Sequence, residues 1–133
     1  MDCLFCKIVA GEIPSYKIYE DEYTLAFLDI SNDSIGHTLV IPKNHVKNIA
    51  ECDDKTALNV AKTVNKVVNH YINNCGFTGA NVFNNCNQSA GQVIMHLHYH
   101  ILPRVEGDKV EKWNIDGKNT ESLENVCNKL KIK

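Results

Sequence analysis

Three histidines, His96, His98 and His100, alternate with apolar residues along the chain. Because successive side chains of a β-strand point to opposite faces, a strand here would place the three imidazoles in one row on one face. Imidazole can act near neutral pH as a nucleophile, a proton carrier or a metal ligand. The spacing therefore predicts a chemical site. The residues alone leave open a zinc centre, covalent attack on phosphorus, and a solvated sheet face without a role.

The dipeptide Gly91-Gln92 lies just before the histidine segment. Glycine lets the backbone approach an anion closely, and successive N–H groups can bind phosphate oxygens. Taken alone the dipeptide is typical of an ordinary turn. Its position beside three histidines favours a phosphate site.

Cys3 and Cys6 form a second pattern, C-x-x-C. The pair supplies half of a tetrahedral zinc site, and it also fits a redox pair or two buried thiols. The N-terminus has an acidic residue at position 2 and no basic stretch before its apolar residues, so it does not resemble a signal peptide. We therefore expect a cytoplasmic protein whose six cysteines lie in a reducing compartment.

The elements that must position these residues follow from periodicity and turn signals. Helices are predicted over residues 3–10 and 54–74, and a last helix carries Leu123, Val126, Cys127 and Leu130 on one stripe. Strands are predicted over residues 15–20, 24–30, 37–42, 79–85 and 93–103. About five short strands with helices set apart from them predict one compact α+β domain over residues 1–133.

The composition excludes several classes of partner. The chain has 133 residues, a net charge of −2 and a single arginine, Arg104. No basic block and no apolar run long enough to span a bilayer stands out, so we expect neither a nucleic-acid nor a membrane partner. With one arginine, any phosphate site must use other side chains and backbone N–H groups.

The segment from Gly91 to Leu102 resembles the signature of the histidine triad (HIT) superfamily, His-φ-His-φ-His-φ-φ with φ apolar. Residues 36–43 resemble an earlier strand of that family, and residues 5–14 and 26–30 resemble its N-terminal half. The likeness covers about residues 3–104, leaves residues 105–133 as a C-terminal segment and helix, and is closest to the Hint-like branch of bacterial type.

This resemblance implies the HIT fold and a homodimer that joins two sheets. It also implies binding of a purine nucleotide such as AMP. The expected reaction is cleavage at the α-phosphate of nucleoside phosphoramidates, esters or dinucleoside polyphosphates through a nucleotidyl-histidine. His98 would be the nucleophile, held in its tautomer by the carbonyl of His96. His100 and His37 would orient the phosphate and share protons.

The resemblance further implies a nucleotide site in which Asp29 binds the ribose and apolar residues line the base pocket. The full set is Phe5, Ile8, Phe27, Leu28, Asp29, Ile30, Asn85, Gly91, Gln92, Val93, His98 and His100. Asn85, Gln92 and the N–H of Val93 would hold the phosphate. The family often has Ser or Thr at the position of Val93, so a hydroxyl donor is missing here. A nucleotide-binding regulatory or scaffold protein with little activity is therefore the competing hypothesis.

Some Hint-like proteins close a zinc site with two histidines beside the C-x-x-C pair. The matching residues here are Cys3, Cys6, His45 and His96. Four protein ligands leave no open position for water, so this zinc would be structural. No organic cofactor is expected. The resemblance also suggests that Trp113 reaches toward the active site of a partner subunit.

Overall fold

The computed structural model describes residues 2–31, 34–110 and 120–131. Helix α1 spans Leu4–Val9, α2 spans Asp54–Asn74 and α3 spans Leu123–Leu130. Strands β1 to β5 span Lys17–Glu20, Thr24–Leu28, Thr38–Pro42, Gly79–Asn84 and Tyr99–Arg104. The predicted α+β class and the five-stranded antiparallel sheet are confirmed. Trp113 lies outside the described residues.

The sheet has the order β1-β2-β3-β5-β4, and every neighbouring pair is antiparallel. Strand β5 is therefore internal, between β3 and β4. His100 of β5 lies opposite Leu39 on one side and Phe83 on the other. This internal position holds the histidine in a rigid part of the fold.

Alternate residues of the central strands enter two apolar cores on opposite faces of the sheet. On the face covered by α1, the buried residues are Cys3, Phe5, Ile8, Leu25, Phe27, Leu39 and Ile41. On the face covered by α2, they are Ala26, Val40, Val60, Val67, Tyr71, Leu97 and Ile101. Because directly opposite residues share a face, the Leu39–His100 pairing places His100 on the α1 face.

The long helix α2 has the predicted bounds. Asp53 caps its start, where its side chain accepts a hydrogen bond from the N–H of Thr56. Gly76 follows its end with φ of +82°, a conformation that glycine adopts at little cost. No helix in the described part of the chain has the length and apolarity that crossing a membrane requires.

The predicted histidine strand over residues 93–103 is wrong in its first half, because β5 begins only at Tyr99. Strand β3 ends at Pro42, which has no N–H with which to continue the pairing. The preceding segment instead bonds to the connector after β3, where the N–H of Leu97 donates to the carbonyl of Val46 at 2.8 Å. The three imidazoles therefore do not form one row on a strand.

Candidate active site and metal site

His96 turns toward the C-x-x-C pair rather than toward the other two triad histidines. Its Nδ1 lies 3.4 Å from Sγ of Cys3 and 3.6 Å from Sγ of Cys6. Nδ1 of His45 lies 3.4 Å from Sγ of Cys6. The structure thus brings together all four predicted zinc ligands, whose ligand atoms lie within 4.8 Å of one another. We call these four residues the Cys/His cluster.

Three separate segments supply the Cys/His cluster. Cys3 caps helix α1, and its sulfur accepts a hydrogen bond from the N–H of Cys6 in the first turn. His45 lies in the connector after β3, and His96 lies just before β5. The Leu97–Val46 backbone hydrogen bond ties these last two segments together next to the ligands. This hydrogen bond keeps His45 and His96 close to each other independently of the two cysteines.

The spacing of the Cys/His cluster fits a tetrahedral zinc ion. Zinc bonds of about 2.3 Å to sulfur and about 2.0–2.1 Å to nitrogen set such ligands about 3.6 Å apart. The observed sulfur–nitrogen distances are 3.4, 3.4 and 3.6 Å. Nε2 of His96 donates to the carbonyl oxygen of Pro42 at 2.9 Å, which leaves a lone pair on Nδ1. Burial lowers the pKa of His96 and so favours the neutral, ligating form.

His98 has the opposite tautomer. Its Nδ1 lies 2.8 Å from the backbone carbonyl of His96, and because a carbonyl can only accept, Nδ1 must carry the hydrogen. The lone pair therefore lies on Nε2. Burial lowers the pKa of His98, which favours the neutral ring. Phe5 presents its ring nearly at right angles to that of His98, with centroids 5.1 Å apart.

His100 and His37 form a hydrogen-bonded pair next to His98. Nε2 of His37 lies 2.9 Å from Nδ1 of His100, and the rings of His98 and His100 are 5.0 Å apart. Phe83 stacks on His100 at 4.5 Å with an interplanar angle of 8°. Oδ2 of Asp29 lies 4.0 Å from Nε2 of His37. Three histidines and a carboxylate thus meet on the α1 face.

The loop before β5 is held by the side chain of Gln92. Its amide oxygen accepts from the N–H of Asn87 at 2.8 Å, and its Nε2 donates to the carbonyls of Lys47 and Ile94 at 2.7 and 3.0 Å. The side chain is buried and three of its hydrogen-bonding positions are used within the loop. This differs from the direct phosphate contact expected from the sequence, and it indicates a positioning role for Gln92.

Other residues of the expected nucleotide site differ in accessibility. Phe5, Ile8 and Phe27 are buried in the core on the α1 face, whereas Ile30 and Val93 are 84% and 86% exposed. Leu28 and Asn85 are half-buried. Gly91 has φ of +92°, and a Cβ added there would stand 3.6 Å from Nδ2 of Asn85. Phe5, Ile8 and Phe27 thus form the buried base of the expected site, whereas Ile30 and Val93 are accessible to a ligand. Their contacts with a nucleotide remain a prediction.

Asn84 is a site residue that the sequence reasoning missed. Its Nδ2 donates to the backbone carbonyl of His98 at 2.8 Å, from the neighbouring strand β4. Only the adjacent Asn85 was predicted from the sequence, as a phosphate ligand, and that role remains a prediction. The end of β4 opposite the histidine segment was the available signal, but only the register Asn84–Tyr99 identifies which asparagine meets His98. Phe83 was missed for the same reason.

The triad histidines divide between two groups of side chains. His96 belongs to the Cys/His cluster, while His100 groups with His37 and Asp29. The three triad histidines therefore do not converge on a single point in the described structure, as a three-histidine zinc centre would need. What converges is a neutral imidazole with a lone pair on Nε2 beside a hydrogen-bonded histidine pair. Such a group can attack an electrophile and pass protons.

Comparisons with known proteins agree with this geometry. A family model described as the HIT domain matches residues 10–107. A crystal structure of a member of the HIT family from Bacillus subtilis is 42% identical, with a TM-score of 0.82 over 98% of this chain and 95% of that one. A Zn-bound histidine triad family protein from Mycobacterium smegmatis is 35% identical, with a TM-score of 0.79 over 88% and 85%. Adenosine 5′-monophosphoramidase hnt1 of Schizosaccharomyces pombe is 41% identical over 78% of this chain and 75% of its own length.

Proposed function

Because the chain belongs to the HIT family, we propose that it is a nucleotide hydrolase that acts through a covalent intermediate on His98. Its substrates would be purine nucleoside monophosphates linked at the α-phosphate, as phosphoramidates, esters or dinucleoside polyphosphates. Support comes from the S. pombe relative, whose name describes hydrolysis of an adenosine phosphoramidate. The competing hypothesis is a nucleotide-binding regulatory or scaffold protein with little catalytic activity.

The single observation that carries the proposal is the hydrogen bond from Nδ1 of His98 to the carbonyl of His96. It fixes the tautomer and leaves the Nε2 lone pair as the nucleophile. The amide of Asn84 holds the carbonyl of His98 itself. The ring and the backbone carbonyl of His98 are thus each held by a hydrogen bond to an uncharged group. Attack of Nε2 on phosphorus breaks neither bond.

The proposed reaction has two displacements at phosphorus. In the first, Nε2 of His98 forms a bond to the α-phosphorus, and the bond to the leaving group breaks with its electron pair. In the second, water attacks phosphorus and the N–P bond breaks, which returns the neutral imidazole. The His37–His100 pair lies close enough to give a proton to the leaving group and to take one from water.

The nucleotide would lie across the α1 face of the sheet. We propose that Asp29 binds the ribose hydroxyls, that Leu28 and Ile30 contact the base over a floor containing Phe5, Ile8 and Phe27, and that His100 and His37 orient the phosphate. The loop at Gly91 and Val93 would offer backbone N–H groups to the phosphate, Asn85 would contact the phosphate as well, and Gln92 would hold the shape of the loop. Since this chain has one arginine, these groups carry the charge stabilisation.

We further propose that the Cys/His cluster binds one structural zinc ion. Zinc would cross-link α1, the connector after β3 and the segment before β5, and it takes no part in the chemical steps. All six cysteines are free thiols. Thiolate ligands and free cysteines are both suited to a reducing compartment, which agrees with the expectation of a cytoplasmic protein.

The proposed homodimer would form at strand β4, an edge of the sheet. Next to β4, helix α2 leaves a groove of about 390 Å³ lined in part by Val64, Val68, Ile72 and Val82. Val82 is 43% exposed on the edge strand. Pairing of two β4 strands would bury this groove and extend the sheet across both subunits.

The test is intact-protein mass spectrometry during turnover of adenosine 5′-phosphoramidate. Wild type should show a transient adduct of one adenylyl group, and His98→Gly should show none. His70→Gly, which removes an exposed histidine on α2, is the matched control and should retain the adduct. AMP binding without adduct or product in wild type would instead identify a binding protein.

A further inference from the structure

A second group of metal-ligand atoms lies on the α1 face. Oδ of Asp29, Nε2 of His37 and Nδ1 of His100 lie within 4.8 Å of one another. Two histidines and one carboxylate are a common ligand set for zinc and for other first-row divalent metals. We call these three residues the Asp/His cluster. Neither the family resemblance nor any comparison assigns a metal to it.

The ring spacing in the Asp/His cluster is compatible with a tetrahedral metal site as well as with the hydrogen bond that joins the two rings. Two imidazoles on a tetrahedral zinc have ring centres about 5.2 Å apart, because each centre lies about 1.2 Å beyond its ligand nitrogen. The rings of His37 and His100 are 5.2 Å apart. In the Cys/His cluster the corresponding His45–His96 distance is 5.0 Å. The two clusters therefore separate their imidazoles almost equally.

The nitrogens must separate slightly and turn. They lie 2.9 Å apart in a nearly straight hydrogen bond, whereas tetrahedral ligands would lie about 3.3 Å apart with both lone pairs directed at the ion. Turning each ring by roughly 35° through χ1 and χ2 reaches that geometry with the backbone in place. The shared proton moves to the outer nitrogen of the ring that carries it, so both neutral rings present a lone pair and no proton is released.

The carboxylate is already oriented toward the two rings. Oδ1 of Asp29 accepts a hydrogen bond from the N–H of Ser31 at 2.8 Å, while Oδ2 lies 4.0 Å from Nε2 of His37. The N–H of Asp29 also donates to the carbonyl of His37 at 2.8 Å, which ties the two residues together. Its side chain is 21% exposed and can shift by the roughly 0.7 Å that a shared metal requires.

We propose that Asp29, His37 and His100 form a second metal site, which takes a divalent cation of the zinc and cobalt class with one position open to water or a phosphate oxygen. The site is weaker than the Cys/His cluster, because it lacks thiolates and must displace a hydrogen bond. The metal site itself does not depend on the proposed function; only its predicted effect on hydrolysis does. A metal here occupies the nitrogens that would handle protons, so it inhibits hydrolysis.

The experiment loads the full chain with one equivalent of Zn²⁺ and then titrates it with Co²⁺. We expect one further Co²⁺ per chain, with visible d–d absorption but without the thiolate-to-cobalt charge-transfer band that exchange into the Cys/His cluster would produce. His37→Ala and Asp29→Asn should each weaken this binding at least tenfold. His70→Ala is the matched control and should leave it unchanged.

Hydrolysis is measured in the same titration. The proposal predicts that activity falls with the midpoint of Co²⁺ binding and returns on removal of excess metal. Absence of Co²⁺ binding to the zinc-loaded chain at millimolar concentration, or equal binding by His37→Ala, overturns the metal site even if hydrolysis is normal. Binding of one Co²⁺ by the zinc-loaded chain without any hydrolysis would overturn the proposed function and leave the metal site standing.

Discussion

The Cys/His cluster and the proposed catalytic histidines use the same side chain in opposite tautomers, two residues apart. His96 donates from Nε2 to the carbonyl of Pro42 and presents Nδ1 to two sulfurs. His98 donates from Nδ1 to the carbonyl of His96 and keeps its lone pair on Nε2. Both rings are buried and neutral forms are favoured in both. The nearest backbone carbonyl, not the residue type, therefore selects which ring nitrogen presents a lone pair.

The largest predicted effect comes from removing the proposed nucleophile, His98. We expect His98→Ala to lower kcat by at least about a thousandfold, because no other group replaces the attacking nitrogen. Nucleotide affinity should stay within about tenfold, since the remaining contacts are intact. Single-turnover kinetics and calorimetric AMP binding measure the two quantities. The zinc content should remain at the wild-type value, and a variant that kept near-wild-type turnover would refute His98 as nucleophile.

The next largest effect comes from removing one ligand of the Cys/His cluster. Cys3→Ser should lose bound zinc and lower Tm by about 10 °C or more, because a structural zinc contributes directly to folding stability. Differential scanning calorimetry and elemental analysis measure both. Cys75→Ser changes an exposed cysteine and is the matched control.

Chelation of wild type should lower Tm in the same way. At a temperature where Cys3→Ser stays folded, kcat should remain within about tenfold of wild type, since His96 still has its bonds to Pro42 and, through Leu97, to Val46. Unchanged zinc content in Cys3→Ser would contradict the assignment of the cluster.

A smaller effect tests whether the hydrogen bond to the backbone carbonyl of His98 positions its ring. Asn84→Ala removes the donor to the His98 carbonyl and should lower kcat about tenfold with little change in KM. Asn85→Ala, at the neighbouring position, should leave kcat nearer to wild type and act mainly on KM. Michaelis kinetics on both variants separate the roles. Equal losses of kcat would show that the loop as a whole, and not the Asn84 contact, positions the nucleophile.

The smallest effect concerns the leaving group. Val93→Ser restores a hydroxyl at an exposed position of the loop. We expect a several-fold gain in kcat for substrates with a simple amine as leaving group, and no gain for those with an acidic leaving group that needs no proton. Comparison of the two substrate classes measures the effect. A uniform gain on both would indicate a change in binding.

Periodicity was sufficient for much of the fold, including the bounds of α2 and the antiparallel sheet. The resemblance named the four residues that meet in the Cys/His cluster. The features that the local sequence could not predict depend on tertiary contacts. The strand before Tyr99 was predicted from alternation, but Pro42 on the neighbouring strand stops the pairing there. The contact of Asn84 with the His98 carbonyl depends on the pairing of β4 with β5, which alternation alone does not specify.

The dual use of position 96 has a consequence for substitution and design. Its side chain serves the Cys/His cluster, but its contribution to His98 is a backbone carbonyl, which every residue type possesses. In the proposed mechanism, histidine at this position is required by the metal site and not by the reaction. A redesigned protein with an apolar core in place of the four ligands should therefore accept another residue at position 96 and keep the proposed hydrolysis. Of the three triad positions, this is the one whose side chain the proposed reaction does not use.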